Sequence, residues 1–189
     1  MTMPKRAFII HGWGGYPDKN WFPWLKDQLI KKGFVVSVPQ MPESDHPKMD
    51  SWLSKLSDEV GKPDKECYFI GHSLGCITIL RYLERLEATE KIGGAVFVAA
   101  FDDDLGIKEL AASNFFLKPV DWVKVNEHCN NFVAIFSDND YYVSLDHSDV
   151  FKKKLEAKVI VKHAMGHLNE KSGVRELPDV LEAVLKMSS

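Results

Sequence analysis

Gly71-His72-Ser73-Leu74-Gly75 fits the pattern G-x-S-x-G. Before it, Cys67-Tyr68-Phe69-Ile70 reads as a short, buried, apolar strand. After it, Cys76-Ile77-Thr78-Ile79-Leu80-Arg81-Tyr82-Leu83 reads as a helix running to about Leu86. A strand that enters a helix through so sharp a turn strains the backbone of its central serine. The hydroxyl then stands exposed at the top of a sheet. Gly71 and Gly75 suit that geometry, because a side chain at either place would crowd the turn or the helix–strand contact.

Outward from this turn, apolar strand-like runs alternate with helix-like ones. That is the pattern of a parallel sheet covered on both faces. Strands are expected at Ala7 to Ile10, Phe34 to Val38, Gly94 to Ala99, Asn131 to Phe136 and Lys158 to Val161. Amphipathic helices are expected at Trp21 to Lys32, Met49 to Val60, Asp146 to Leu155 and Glu176 to Met187. The stretch 101–130 breaks the rhythm. It is long and aromatic, as a lid or binding segment would be, and it also fits an ordinary crossover with a helix at Leu105 to Ala112. Asp102-Asp103-Asp104 within it reads as a solvated turn.

A chain of 189 residues, 45% hydrophobic and 27% charged, suits one domain, 1–189, with its own core. Its net charge of -3 argues against a general electrostatic role on nucleic acid or an anionic membrane. It has no apolar run long enough to cross a membrane and no signal-peptide core. Three unpatterned cysteines, Cys67, Cys76 and Cys129, point to free thiols in a reducing cytoplasm. Cys67 and Cys76 lie on apolar segments and read as core residues.

A serine hydroxyl needs a base within hydrogen-bond reach, and the base needs a third group to orient it. One known chain order for such a triad is Ser, then Asp or Glu, then His. Ser137-Asp138-Asn139-Asp140 follows the fifth strand and Gly166-His167 lies in a loop after the sixth. Both fall where doubly wound sheets gather functional groups, at the carboxyl ends of strands. His167 is the expected base. Asp140 is the favoured acid, because the apolar Tyr141-Tyr142-Val143 can anchor a turn back over the sheet; Asp138 is the alternative. His46, His128 and His147 lie in polar surroundings and are expected at the surface. A metal cluster of His163, His167 and Glu170 is disfavoured, since Gly166 argues for a loop where such spacing would need a helix. His11-Gly12-Trp13-Gly14-Gly15 follows the first strand, where an oxyanion hole belongs, so the N–H groups of Trp13 and Leu74 are its expected donors. The same glycines do not form G-x-G-x-x-G, which disfavours a dinucleotide.

On these residues, with Trp21-Phe22-Pro23-Trp24-Leu25 and Pro39-Gln40-Met41-Pro42, the chain resembles the small α/β-hydrolase family of YdeN and retinoblastoma-binding protein nine. The resemblance runs nearly end to end. It implies a compact serine hydrolase with a triad at Ser73, Asp140 and His167. In that family a short apolar run ending in proline usually follows the acid; here Tyr141-Tyr142-Val143-Ser144 lacks the proline. The expected fold is an α/β-hydrolase three-layer α/β/α sandwich around a mostly or wholly parallel six-stranded sheet, order 2-1-3-4-5-6. The expected function is a carboxylesterase-like hydrolase acting through an acyl-enzyme on Ser73, with no cofactor and no metal. Its expected partner is a small-molecule acyl substrate, with no nucleic acid, no membrane, and a protein partner left open. The alternatives are an aminopeptidase or amidase on the same triad, with Asp102 to Asp104 holding an ammonium, and a protein-binding module that keeps the scaffold.

Overall fold

The computed structural model describes residues 3–189. Six strands, β1 (Arg6–Ile10), β2 (Val35–Ser37), β3 (Cys67–His72), β4 (Gly94–Val98), β5 (Phe132–Ser137) and β6 (Lys158–Lys162), form one sheet. Every pairing is parallel and the order is β2-β1-β3-β4-β5-β6, as the sequence predicts. Strands β3, β4 and β5 are buried at every residue. They read as unbroken apolar runs because helices cover both faces, so neither face can be polar. The outer strand β6 begins and ends with lysine, which discourages pairing with another chain.

Successive strand residues point to opposite faces. Ile9, Ile70, Val96 and Val98 meet α1 (Phe22–Lys31) and α7 (Pro178–Met187) through Phe22, Leu25, Leu29, Val180 and Val184. Phe8, Phe69 and Phe97 meet the other layer: α2 (Met49–Val60), α3 (Leu74–Leu83), α5 (Trp122–His128) and α6 (His147–Leu155). The result is a three-layer α/β/α sandwich. Helix α1 shows the logic locally. Pro23 suits its first turn, and Phe22, Leu25 and Leu29 fall on one buried stripe. Leu25→Ala would cost about 2–5 kcal/mol through the cavity it leaves. No helix among the described residues is long and apolar enough to cross a membrane.

The stretch 101–130 departs most from expectation. The helix expected from Leu105 shrinks to α4 (Lys108–Ala111), because Leu105 and Gly106 both have positive φ, 53° and 69°. Two consecutive residues in that region cannot open a right-handed helix. Helix α5 was not anticipated. The expected end at Leu86 of the helix that follows Ser73 is also corrected. Regular α-helix stops at Leu83, and Arg85 and Leu86 donate to carbonyls only three residues back, in tighter turns.

Arg81 fastens this stretch to α3. It is 2% exposed. Its guanidinium donates to the carbonyls of Phe115 (2.8 Å), Lys118 and Pro119 (3.3 Å), and to both oxygens of Glu84 (2.9 Å each). Nearly all of its hydrogen-bonding capacity is used inside the protein, which is what allows a charge to be buried there.

Candidate active site

Ser73 is the residue between β3 and α3, with φ 55° and ψ -122°. A non-glycine residue there carries about 1–3 kcal/mol of strain, so its surroundings must fix it. The Ser73 N–H donates to Val98 O on the neighbouring strand at 2.9 Å, and Ser73 O accepts from Cys76 N–H at 2.9 Å. Gly75 is required by contact: a Cβ there would fall onto the Ile10 carbonyl. Gly12 is required on the opposite side, since its Cβ would stand 2.9 Å from Ser73 Cβ.

The tetrapeptide from Ser137, the last residue of β5, to Asp140 docks residue by residue onto the loop after β6. Ser137 Oγ accepts from Met165 N–H (3.0 Å), and Asp138 Oδ1 from Ala164 N–H (2.8 Å). Asn139 Oδ1 accepts from Gly166 N–H (2.8 Å), and Asp140 Oδ2 stands 2.8 Å from His167 Nδ1. Asp138 faces a different histidine, the exposed His163, at 2.7 Å. Thus Asp140 is the carboxylate that reaches His167, and both of those side chains are buried. Asp140 Oδ1 also accepts the N–H groups of Tyr142 (2.8 Å) and Val143 (3.1 Å), so its own turn orients it without the family's proline. Burial pushes the Asp140 carboxyl upward. The hydrogen bond and charge of His167, with the two N–H groups, outweigh burial and hold the carboxyl below its ordinary range.

Ser73 and His167 line one cavity of about 740 Å³, together with Gly12, Trp13 and Leu74. No hydrogen bond joins the Ser73 hydroxyl to the His167 ring; such contacts often tighten only when substrate binds. Among the described residues, the N–H groups of Trp13 and Leu74 have no protein acceptor. By contrast, the Gly14 N–H donates to Ser44 O (2.7 Å) and the Gly15 N–H to Gly12 O (3.0 Å). Two free donors beside a serine can receive a negatively charged oxygen.

Two buried histidines support this centre and were not singled out by sequence. His72 donates from Nε2 to His167 O at 2.9 Å, and burial, with the nearby His167, pushes its pKa down to about 3. His11 donates from Nδ1 to Gly12 O (2.8 Å) and accepts Met41 N–H at Nε2 (3.0 Å). Burial lowers its pKa, and this bonding pattern fits only the neutral ring. The strand-end positions of both rings were the only sequence signal.

Other sequence expectations are corrected. His128 is buried, donating from Nδ1 to Glu90 O at 2.8 Å, and His147 is largely covered; His46 is exposed. The aspartates expected to form a solvated turn are only partly so: Asp102 lies 3.2 Å from His147, while Asp103 and Asp104 accept the N–H groups of Leu105 and Gly106. None of the three lines the cavity. Glu170 pairs with Arg175 at 2.8 Å and does not join His163 and His167. All three cysteines are buried free thiols; burial pushes Cys67 up to about 11 and Cys129 up to about 12, and raises Cys76 as well.

Residues 7–186 match the family described as serine hydrolase. YdeN of Bacillus subtilis is 30% identical over 182 residues, 96% of this chain and 95% of that protein. Serine hydrolase RBBP9 of Rattus norvegicus is 27% identical over 188 residues, 98% of each chain. The crystal structure of the B. subtilis ydeN gene product superposes with a TM-score of 0.91 over 97% of this chain and 98% of that one, at 30% identity. Est1E from Butyrivibrio proteoclasticus, 17% identical, shares the fold with a TM-score of 0.73 over 98% of this chain and 87% of its own.

Proposed function

The chain belongs to the serine hydrolase family, and from that premise we propose that it cleaves small carboxylic esters through an acyl-enzyme on Ser73. The buried Asp140–His167 pair, sharing a cavity with a strained, accessible Ser73, carries this reading. Asp140 accepts a hydrogen bond from the Nδ1–H of His167, which leaves Nε2 as the basic nitrogen. His167 takes the Ser73 proton as Oγ attacks the carbonyl carbon. The carbonyl oxygen becomes an anion and receives the N–H groups of Trp13 and Leu74, an effect worth about 10²–10³ in rate for each such donor. Collapse of the tetrahedral species breaks the ester C–O bond, and His167 returns the proton to the departing alcohol. Water then attacks the acyl-enzyme, with His167 again as base, and frees the acid and Ser73. The wall formed by 101–110 serves as the acyl-binding surface in this reading.

Ser73→Ala tests it. The variant is expected to lose butyrate-ester hydrolysis by several orders of magnitude, and to lose labelling by a fluorophosphonate, while circular dichroism stays unchanged. Burst kinetics retained by Ser73→Ala would move the nucleophile elsewhere. A wild-type protein that neither turns over esters nor takes the label would favour a binding module.

A further inference from the structure

The two sides of the cavity differ in chemistry. Phe101, Leu105, Ile107, Leu110 and Val143 line one side, and all of them belong to or pack on the α2/α3/α5/α6 core. Lys19 and Lys171 also line the cavity, on the loops that carry Trp21 and Leu168 of the α1/α7 core. They come from loops far apart in sequence that are tied together by their neighbours. Glu170 N–H donates to Asn20 Oδ1 at 3.0 Å, and Asn20 N–H donates to Glu170 Oε2 at 3.4 Å. This reciprocal pair puts the adjacent Lys19 and Lys171 on one rim. Glu170 is the cavity's carboxylate on that side, and Arg175 already pairs with it at 2.8 Å. Among the described residues, neither lysine is paired with a carboxylate; Lys171 Nζ lies 5.9 Å over the Tyr141 ring.

The sidedness also assigns which half of an ester meets the cations. His167 must hand its proton to the leaving oxygen, so the alcohol lies on the side of His167. Lys171 sits on that same loop, next to Ser172, whose Oγ accepts the His167 N–H at 3.2 Å. Resting on the ester-hydrolase reading above, we infer that the substrate is an ester of an apolar acid with an alcohol that carries an anionic group. The apolar side takes the acyl chain. Lys19 and Lys171 attract the carboxylate or phosphate of the alcohol. An alcohol that carries a cation is disfavoured by the same two charges.

Three butyrate esters separate the charge from the chemistry: those of meta-hydroxybenzoate, its neutral methyl ester, and meta-hydroxyphenyltrimethylammonium. Each kcat/KM is divided by the ester's own hydroxide-catalysed rate. In low salt the anionic ester is expected to exceed the cationic one by about tenfold, the scale of two solvent-exposed lysines. The ratio should fall toward one in Lys19→Gln/Lys171→Gln and, in the wild type, in about 0.5 M NaCl. Equal hydrolysis of the three, or preference for the cation, overturns this inference and leaves the esterase reading standing. A ratio unmoved by either the substitutions or the salt also overturns it. No turnover of any ester together with no fluorophosphonate labelling overturns both.

Discussion

His72 donates a hydrogen bond from Nε2 to the backbone carbonyl of His167, 2.9 Å away, and the two rings lie 4.9 Å apart. The residue before the nucleophile therefore helps to hold the base. It can do so only as a neutral ring, because an imidazolium there would be buried beside the cation that His167 becomes in catalysis.

That neutrality has a cost in acid. The folded pKa of His72 is pushed down to about 3, below the ordinary value of about 6.5 that the unfolded chain would show. Between those values the unfolded state binds a proton that the folded state does not. Stability therefore falls as pH falls through that window, by about 1.4 kcal/mol per pH unit for one histidine. His72→Gln keeps an N–H for the His167 carbonyl and removes the titration. Urea denaturation at several pH values from about 6 down to 4 is expected to show a shallower acid slope in the variant, by nearly one proton. An unchanged slope would mean that His72 is not the group resisting protonation.

The two aspartates after β5 separate orientation from loop support. Asp140 bonds the buried His167, whereas Asp138 bonds the exposed His163 and the Ala164 N–H. Asp140→Asn should lower kcat by about 10⁴, because an amide in that place favours the wrong imidazole tautomer. Asp138→Asn retains an oxygen for Ala164 N–H and should leave kcat close to wild type. Both are read on one butyrate ester. A crippled Asp138→Asn with a competent Asp140→Asn would reverse the roles argued from this geometry.

Much of this was legible because it depends on local pattern. Strands β3 to β5 showed as apolar runs, and the elbow showed in Gly71 to Gly75, where contact distances leave room only for small residues. The docking of Ser137 to Asp140 onto residues 163–167 was legible only at Asp140 and His167. Its inner contacts join side chains to backbone N–H groups, and these leave no trace in spacing. Asp121 offered one signal that was overlooked. Its carboxylate caps α5 by accepting Lys124 N–H at 3.1 Å, just after Pro119. His128 misled through polarity. A histidine beside Glu127 reads as a surface residue until the Glu90 carbonyl supplies its partner. The burial of Arg81 was not foreseen, because its partners are backbone carbonyls of a distant segment.

Arg81 makes the next expectation. Arg81→Leu removes the donors to three carbonyls and leaves the Glu84 side chain, 6% exposed, without its cation. Breaking a buried pair from one side typically costs about 3–5 kcal/mol. Arg81→Leu/Glu84→Gln should recover part of that loss, since the stranded charge is then gone. Chemical denaturation of the two variants measures the difference. Equal stability of Arg81→Leu and the double variant would show that the carbonyl contacts alone matter.

Gly12 provides the most direct test of the oxyanion loop. It lies between His11, which is fixed through Met41 N–H, and Trp13, whose backbone N–H has no acceptor among the described residues. A methyl group at Gly12 would meet Ser73 Cβ at 2.9 Å and His72 O at 3.2 Å, and both of those atoms sit at the strained turn. The elbow is braced by Val98 O and by α3, so the loop is the part expected to move. Gly12 is not among the glycines with positive φ, so alanine meets no left-handed backbone requirement there. The consequence should therefore fall on catalysis more than on folding. Displacing one donor from the developing oxyanion removes stabilisation present only in the transition state, so kcat should drop by about 10²–10³ with KM little changed. Fluorophosphonate labelling should slow in parallel, because its attack also builds charge on an oxygen. If Gly12→Ala keeps wild-type kcat while folding normally, the loop from His11 to Gly15 does not supply the donor, and Trp13 loses the role assigned to it.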